Sequence, residues 1–241
     1  MKYALITGAN KGIGFETARQ LLQAGYFVFL GCRDADKGQQ AQQQLQVAGL
    51  DQVQVVELDV TSDDSVQRAV AAVRQRTPQL AALVNNAGIP AGDLGQQPST
   101  VPLDAFQPIF DTNYYGVLRT TQAFLPLLRR ASQACIVNLS SSLGSLARQA
   151  DPAFEHYDVK PITYCTSKAM VGMWTICLAY ELRDTAIKVN AVNPGFTTTD
   201  FTGGAGNHSA AQAAQTVAKY AMLPADGPTG QFFSEDGSTP W

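Results

Sequence analysis

Short strand-like apolar runs alternate with helix-period segments almost from end to end, and this alternation constrains the fold more than any other feature of the chain. Tyr3–Ile6, Tyr26–Leu30, Val53–Leu58, Ala82–Val84, Cys135–Leu139 and Ile187–Val192 read as strands. Between them, Val66, Ala69, Val70 and Val73 recur at spacings of three and four, the stripe of an amphipathic helix, with Thr61–Asp64 supplying capping residues before it. The glutamine-rich stretch Gln39–Gln46 resembles low complexity, yet Ala41, Leu45 and Ala48 keep helical spacing through it, so it reads as the solvated face of a helix. Strand, helix and strand in repetition predict an α/β fold, a central parallel sheet flanked by helices on both faces. With 241 residues, 45% of them hydrophobic, and no break in composition, the chain is expected to form one doubly wound domain over residues 1–241. Three segments interrupt the rhythm: 89–102, 146–161 and 202–209. Each follows the C-terminal end of a strand, where open α/β sheets bind ligands, so these are the expected substrate loops.

Charge and cysteine usage narrow the function. A net charge of −3 with 17 scattered Lys and Arg residues offers no basic field for a phosphate backbone, so no nucleic-acid partner is expected. The four cysteines form no CxxC pair, and two histidines are too few to complete a typical zinc site, so no metal is expected. These thiols read as reduced and mostly buried, as in a cytoplasmic protein. The opening MKYALITGAN reaches a glycine turn without an apolar leader, and no stretch is long enough to span a bilayer, so no membrane partner is expected either.

The first strand runs into Thr7-Gly8-Ala9-Asn10-Lys11-Gly12-Ile13-Gly14, and Phe15–Ala24 then reads as a helix. Glycines there let the backbone turn sharply and approach a pyrophosphate, whose charge the helix N-terminus favours. Alone, such a turn is equally a structural strand-to-helix connection, and its G-x-x-x-G-x-G spacing is looser than the common dinucleotide fingerprint. It is not alone. Asp59 follows the third strand, Asn85-Asn86-Ala87-Gly88 the fourth, and Asn113 lies in the next helix; Ser141, Tyr164-x-x-x-Lys168 and Pro194-Gly195 come after, all in one order over about 190 residues.

In that combination the chain resembles the short-chain dehydrogenase/reductase family. The resemblance implies a Rossmann-type fold and a dinucleotide held by Gly8, Asn10, Lys11, Gly12, Ile13 and Gly14. Asp59 and Val60, then Asn86, Ala87 and Gly88, would hold its adenosine end, and Pro194, Gly195, Thr197 and Thr199 its nicotinamide. Which dinucleotide is decided at the end of the second strand, where a carboxylate binds the ribose 2′-OH of NAD and a cation the extra phosphate of NADP. Family register puts Cys32 at the carboxylate position, Arg33 next to it and Lys11 as a second cation, so NADP (NADPH) is expected over NAD. Against this, Asp34 lies twenty residues past Gly14, and a one-residue slip would restore NAD.

Reducing a carbonyl requires hydride at carbon and a proton at oxygen. Tyr164 is the expected acid, and Lys168, four residues on along a helix over Thr163–Arg183, is expected to lower the phenol's pKa. The bland reading, a Tyr and a Lys sharing a helix face, loses force beside the other motifs. Tyr157 is a rival phenol, but Pro161 would interrupt any helix it shared with a lysine. Ser141 could donate to the substrate oxygen, although Ser140 and Ser142 flank it and all three are credible turn formers. The resemblance also assigns Asn113 to a water linking Lys168 to solvent; the alternative is a helix asparagine bonded to backbone.

Twenty-two residues separate Ser141 from Tyr164, more than in compact members of the family, and in this the chain resembles the carbonyl-reductase branch. The insertion is expected to cover a helix surface that others use for tetramers, leaving a monomer or weak dimer. Gly230–Phe233 reads as a final edge strand. Phe154, Phe196 and Phe201 in the variable loops point to an apolar small-molecule carbonyl substrate. Alternatives are an NAD-dependent alcohol dehydrogenase, an enone reductase, a methyltransferase, or a catalytically silent nucleotide sensor on the same fold.

Overall fold

The computed structural model describes residues 1–241. The first half runs β1 (Lys2–Thr7), α1 (Gly12–Gln23), β2 (Tyr26–Cys32), α2 (Ala35–Val47), β3 (Val53–Glu57), α3 (Asp63–Arg76) and β4 (Ala82–Asn85). After it come α4 (Phe106–Phe110), a π-turn over Asp111–Tyr115, α5 (Gly116–Leu128), β5 (Ala134–Leu139), α6 (Leu146–Ala150), α7 (Ile162–Glu181) and β6 (Ile187–Val192). The chain ends with β7 (Thr197–Thr198), β8 (His208–Ser209), α8 (Ala210–Ala221), β9 (Phe232–Ser234) and β10 (Gly237–Ser238).

Eight strands form the main sheet in the order β10-β9-β6-β5-β4-β1-β2-β3, parallel except for β10. All six strands read from the sequence are present, each within a residue or two of the expected ends. Because β2 and β4 lie on opposite sides of β1, the strand order reverses at β1/β4, and the crevice of such a sheet opens there. Strands buried on both faces need a core on each. One of 24 buried residues includes Phe15, Leu21, Leu45 and Val217, from α1, α2 and α8. The other, of 22, includes Val66, Val73, Phe124 and Leu178, from α3, α5 and α7.

Local signals explain the helix ends. Ser62 caps α3, accepting from the Ser65 amide, and the Val66–Val73 stripe is buried as its spacing predicts. In α2 the buried residues are Gly38, Ala41 and Leu45, whereas Ala48 is the exposed C-cap; the expected stripe is displaced one turn toward the N-terminus. The C-terminal expectation needs correction. Phe232–Ser234 pairs with β6 on one side and β10 on the other, so the edge belongs to β10, which turns back through Gly237 at φ +107°. Of the cysteines, Cys32 and Cys135 are buried, Cys165 is partly covered and Cys177 is exposed.

A buried polar ladder crosses the sheet below the crevice. The Asn85 amide donates to Thr121 Oγ1 (2.9 Å) and Asn138 Oδ1 (2.8 Å), and the Asn138 amide donates to Thr175 Oγ1 (2.9 Å). It ties β4 and β5 to α5 and α7 where apolar packing alone would leave their relative rotation free. Asn138→Ala strips two buried partners at once and is expected to lower unfolding free energy by about 1–3 kcal/mol in urea titration; an unchanged midpoint would show the ladder to be energetically idle.

Candidate active site

The glycine turn is built for a backbone that must approach something. Gly8 (φ +65°) and Gly12 (φ +57°) are left-handed, and a Cβ on Gly14 would lie 2.5 Å from Asn86 Nδ2. Lys11 occupies the N-cap of α1 without a capping side-chain bond, and no acidic residue sits in the first turn, whereas Asp34, Ser62 and Ser209 cap α2, α3 and α8. An uncapped N-terminus of a twelve-residue helix at the sheet's C-terminal edge suits an anion, so the turn fits a dinucleotide pyrophosphate.

Asn86 has a second task there. Its amide donates to Thr7 O (2.8 Å) and Gly8 O (3.0 Å), while Thr7 Oγ1 accepts from the Asn86 and Ala87 backbone amides. Thr7 is a site residue that the sequence reading omits; its place at the end of β1 was the available signal. Gly88 lies next, close to the Asn113 side chain. Asp59 Oδ1 accepts from the Thr61 amide and hydroxyl, closing a local turn, and the buried Val60 packs against Gly116.

At the cofactor-selecting position, burial pushes the Cys32 thiol up to about 12, so it is neutral. Asp34 caps α2, accepting from the Lys37 amide (3.0 Å) and pairing with the Lys37 ammonium (3.1 Å); the Lys37 backbone bond is the main reason its carboxyl lies below the usual range. Arg33 is exposed between them. Lys11 pairs with Asp200 (2.7 Å).

Tyr164, Ser141 and Lys168 converge at the C-terminal end of β5. The convergence depends on Gly144, where a Cβ would lie 2.6 Å from Lys168 Cβ: only glycine lets the turn after β5 rest directly on α7. Ser140 Oγ donates to the Lys168 carbonyl (3.2 Å) and Ser142 is buried in the turn, which leaves Ser141 as the serine beside the phenol. Ser141 Oγ also accepts from the Leu143 amide (3.2 Å).

The electrostatics reverse an expectation. Burial pushes Tyr164 up to about 12, with the Ser141 hydroxyl opposing the rise, and burial brings Lys168 down to about 8. Lys168 Nζ lies 5.7 Å from the Tyr164 ring centroid and donates to the Leu139 carbonyl at 2.8 Å. Loss of solvent dominates, so the phenol's pKa is raised overall despite the ammonium nearby. Asn113, fully buried in the π-turn, accepts from the Ile89 amide (2.8 Å) and donates to Ile89 O (2.9 Å) and Ser167 Oγ (3.3 Å). It thus bonds backbone at the start of the 89–102 loop and has no direct bond to Lys168.

The remaining loops meet around Tyr164. Thr197 Oγ1 donates to the Gly195 carbonyl, Thr199 caps a short turn, and Gly195 (φ +80°) faces the His208 ring, whose Nε2 is 2.7 Å from Glu235. Phe201 packs on the Tyr164 ring (centroids 5.9 Å), and His156 lies edge-on to both Phe154 and Phe196. Tyr157 does meet a lysine, Lys160, at 4.2 Å, but within the insertion, where Lys160 also binds Gln149. The insertion itself lies against the C-terminus: the Ala147 amide donates to Trp241 O (2.9 Å) and Ser145 Oγ to Pro240 O (2.7 Å). Met173 and Tyr180 on α7 are exposed.

Comparison with known proteins agrees with this architecture. The family described as short chain dehydrogenase matches residues 2–210. The (−)-isopiperitenone reductase of Mentha piperita is 33% identical over 98% of this chain and 96% of that protein. The mitochondrial D-beta-hydroxybutyrate dehydrogenase of Rattus norvegicus is 36% identical over 80% of this chain but 54% of that protein, so the chain spans about half the length of that relative. An NADPH-bound carbonyl reductase from chicken fatty liver superposes with a TM-score of 0.85 at 29% identity, covering 100% of this chain and 99% of that one.

A lysine with a depressed pKa makes a checkable pH signature. Between about pH 8 and ~10.4 the unfolded chain binds the Lys168 proton and the folded one does not, so this residue makes stability rise with pH there. Raised thiols and phenols give the opposite slope above their unfolded pKa values. The difference between wild type and Lys168→Met isolates the lysine: in urea titrations from pH 7.5 to 10, wild type should gain up to about 3 kcal/mol relative to the variant. Parallel pH curves would show that Lys168 titrates as it does in water.

Proposed function

The chain belongs to the short-chain dehydrogenase family, and from that membership we propose that it reduces a ketone or aldehyde to an alcohol, reversibly, with NADPH and with Tyr164 as proton donor. The observation that carries this reading is the Tyr164–Ser141–Lys168 cluster at the crevice edge, with the phenol held protonated near pH 7. When bound, NADPH supplies the hydride. Ser141 orients and polarises the carbonyl oxygen, and Tyr164 delivers the proton to it. Lys168 holds its ammonium beside the phenol as negative charge develops there, and Asn113 fixes the loop and the helix that frame the pair. Gly8, Asn10, Gly12, Ile13 and Gly14 cradle the pyrophosphate, Asp59, Val60, Asn86, Ala87 and Gly88 the adenosine, and Pro194, Gly195, Thr197 and Thr199 the nicotinamide.

NADPH is favoured over NADH for three reasons of charge. Cys32 is neutral where an NAD site needs a carboxylate, Asp34 is committed to capping α2, and Arg33 is exposed between them. The chicken carbonyl reductase, a structural neighbour, is itself bound to NADPH. We further propose that residues 1–241 act as one domain in the cytoplasm, as a monomer or weak dimer. No helix is long and apolar enough to cross a membrane. The proposed assembly rests on the length of the 146–161 insertion, and a sharp tetramer mass in light scattering at micromolar concentration would refute it.

The test is NADPH and NADH oxidation at 340 nm against ketones, aldehydes and enones. Tyr164→Phe should retain NADPH binding and lose roughly 10²–10⁴-fold in turnover. Arg33→Ala should weaken NADPH by about 10- to 100-fold and leave NADH within a factor of two or so. Preference for NADH in the wild type would overturn the assignment of Arg33. Turnover of enones alone would point to double-bond reduction, and cofactor binding without any turnover to a silent sensor.

A further inference from the structure

Lys11 and Asp200 come from opposite banks of the crevice. Lys11 is the last residue before α1, and Asp200 stands on the segment between β7 and β8, 189 positions later, yet Nζ and Oδ2 are 2.7 Å apart. The bond is not an isolated touch. Thr199 Cγ2 lies 3.5 Å from where a Cβ on Gly12 would be, so the segment rests on the glycine turn. Phe201, the residue after Asp200, packs on Tyr164. Beyond it Gly203, Gly204 and Gly206 all have positive φ (+63°, +85° and +147°), which lets the segment fold back on itself. The lysine ammonium is also the main cause holding the Asp200 carboxyl below the usual range.

We propose that Asp200 is a cofactor-specificity residue, which acts by competing with the 2′-phosphate of the dinucleotide for Lys11. The inference rests on the NADPH reading given above. A lysine bound to a carboxylate must leave it or share it to meet a phosphate, so the Lys11–Asp200 pair subtracts from the affinity for phosphorylated adenosine and leaves the unphosphorylated form untouched. Arg33, by contrast, needs no release from Asp34, which is bound to Lys37. The two cations therefore contribute differently: Arg33 supplies phosphate affinity directly, and Lys11 links the phosphate to the segment over Tyr164.

The experiment measures binding of adenosine 2′,5′-bisphosphate and 5′-AMP by calorimetry to wild type, Asp200→Asn, Lys11→Met and the double variant. Asp200→Asn should bind the bisphosphate roughly twofold to fivefold more tightly than wild type, the range expected of an exposed ion pair, with 5′-AMP unchanged. In the Lys11→Met background the same substitution should have no effect. Equal tightening of both ligands, or tightening that persists without Lys11, means that Asp200 acts only through its general field, and overturns the proposal; so does an unchanged bisphosphate affinity. If wild type binds both ligands equally and oxidises NADPH no faster than NADH, the NADPH reading itself fails. If wild type prefers the bisphosphate and Asp200→Asn is silent, only the competition is wrong.

Discussion

Four hydrogen bonds between the end of β1 and the end of β4 hold the crevice together. Thr7 Oγ1 accepts from two successive amides of the β4 loop, and the Asn86 side chain returns two bonds to the carbonyls of Thr7 and Gly8. Strand order reverses between these two strands, so both chains leave the sheet there with backbone groups that no ladder can satisfy. Satisfying them with one threonine and one asparagine pins the glycine turn before anything binds in it. The close approach leaves no room at Gly14, and it fixes the direction in which α1 presents its uncapped end. Asn86 is thus first a structural residue, and any contact it makes with a ribose uses what that role leaves over.

A second constraint places the reactive groups. Gly144 lets the turn after β5 touch α7 at Lys168, and the Lys168 carbonyl accepts from Ser140. One turn of α7 is therefore fastened to the turn after β5 that carries Ser141. The Asn85–Asn138–Thr175 ladder sets the rotation of that helix from below. Tyr164 and Ser141 meet because two packed surfaces leave them no alternative, which is how a site keeps its geometry to a few tenths of an ångström without a bound ligand.

Much of this was legible in the residues. Six strands, the buried stripe of α3 and the cap at Ser62 follow from periodicity and side-chain chemistry that act within a few residues. The order of motifs from Gly8 to Gly195 points to the candidate site, because so many polar residues at such spacings have no common structural cause. Other features were out of reach for a physical reason: they depend on partners distant in sequence. Nothing about Lys11 announces Asp200, and nothing in Phe232–Phe233 says that β10 will fold back beside it and take the edge. Ala48 has helical spacing and still lies outside its helix, since the chain turns at Gly49, which sits at φ +78°. The pKa of Tyr164 belongs to the same class, for a four-residue spacing gives a shared helix face but neither the burial nor the separation that decides the sign.

That sign bears on the proposed reductase chemistry, in which Tyr164 is the acid. An acid catalyst must still hold its proton when the carbonyl arrives, and a phenol already stabilised as phenolate would have lost it. Burial keeps Tyr164 neutral, and its distance from Lys168 keeps the ammonium from undoing this. A Lys168 pKa of about 8 leaves the ammonium charged at neutral pH, and its bond to the Leu139 carbonyl is a neutral-acceptor bond that it can exchange for a better one. The attraction between ammonium and phenolate therefore grows as the proton moves and is small before it does. An interaction stronger in the transition state than in the ground state is what accelerates a reaction. In the proposed reduction, burial holds the proton on Tyr164 until Lys168 has a developing phenolate to attract.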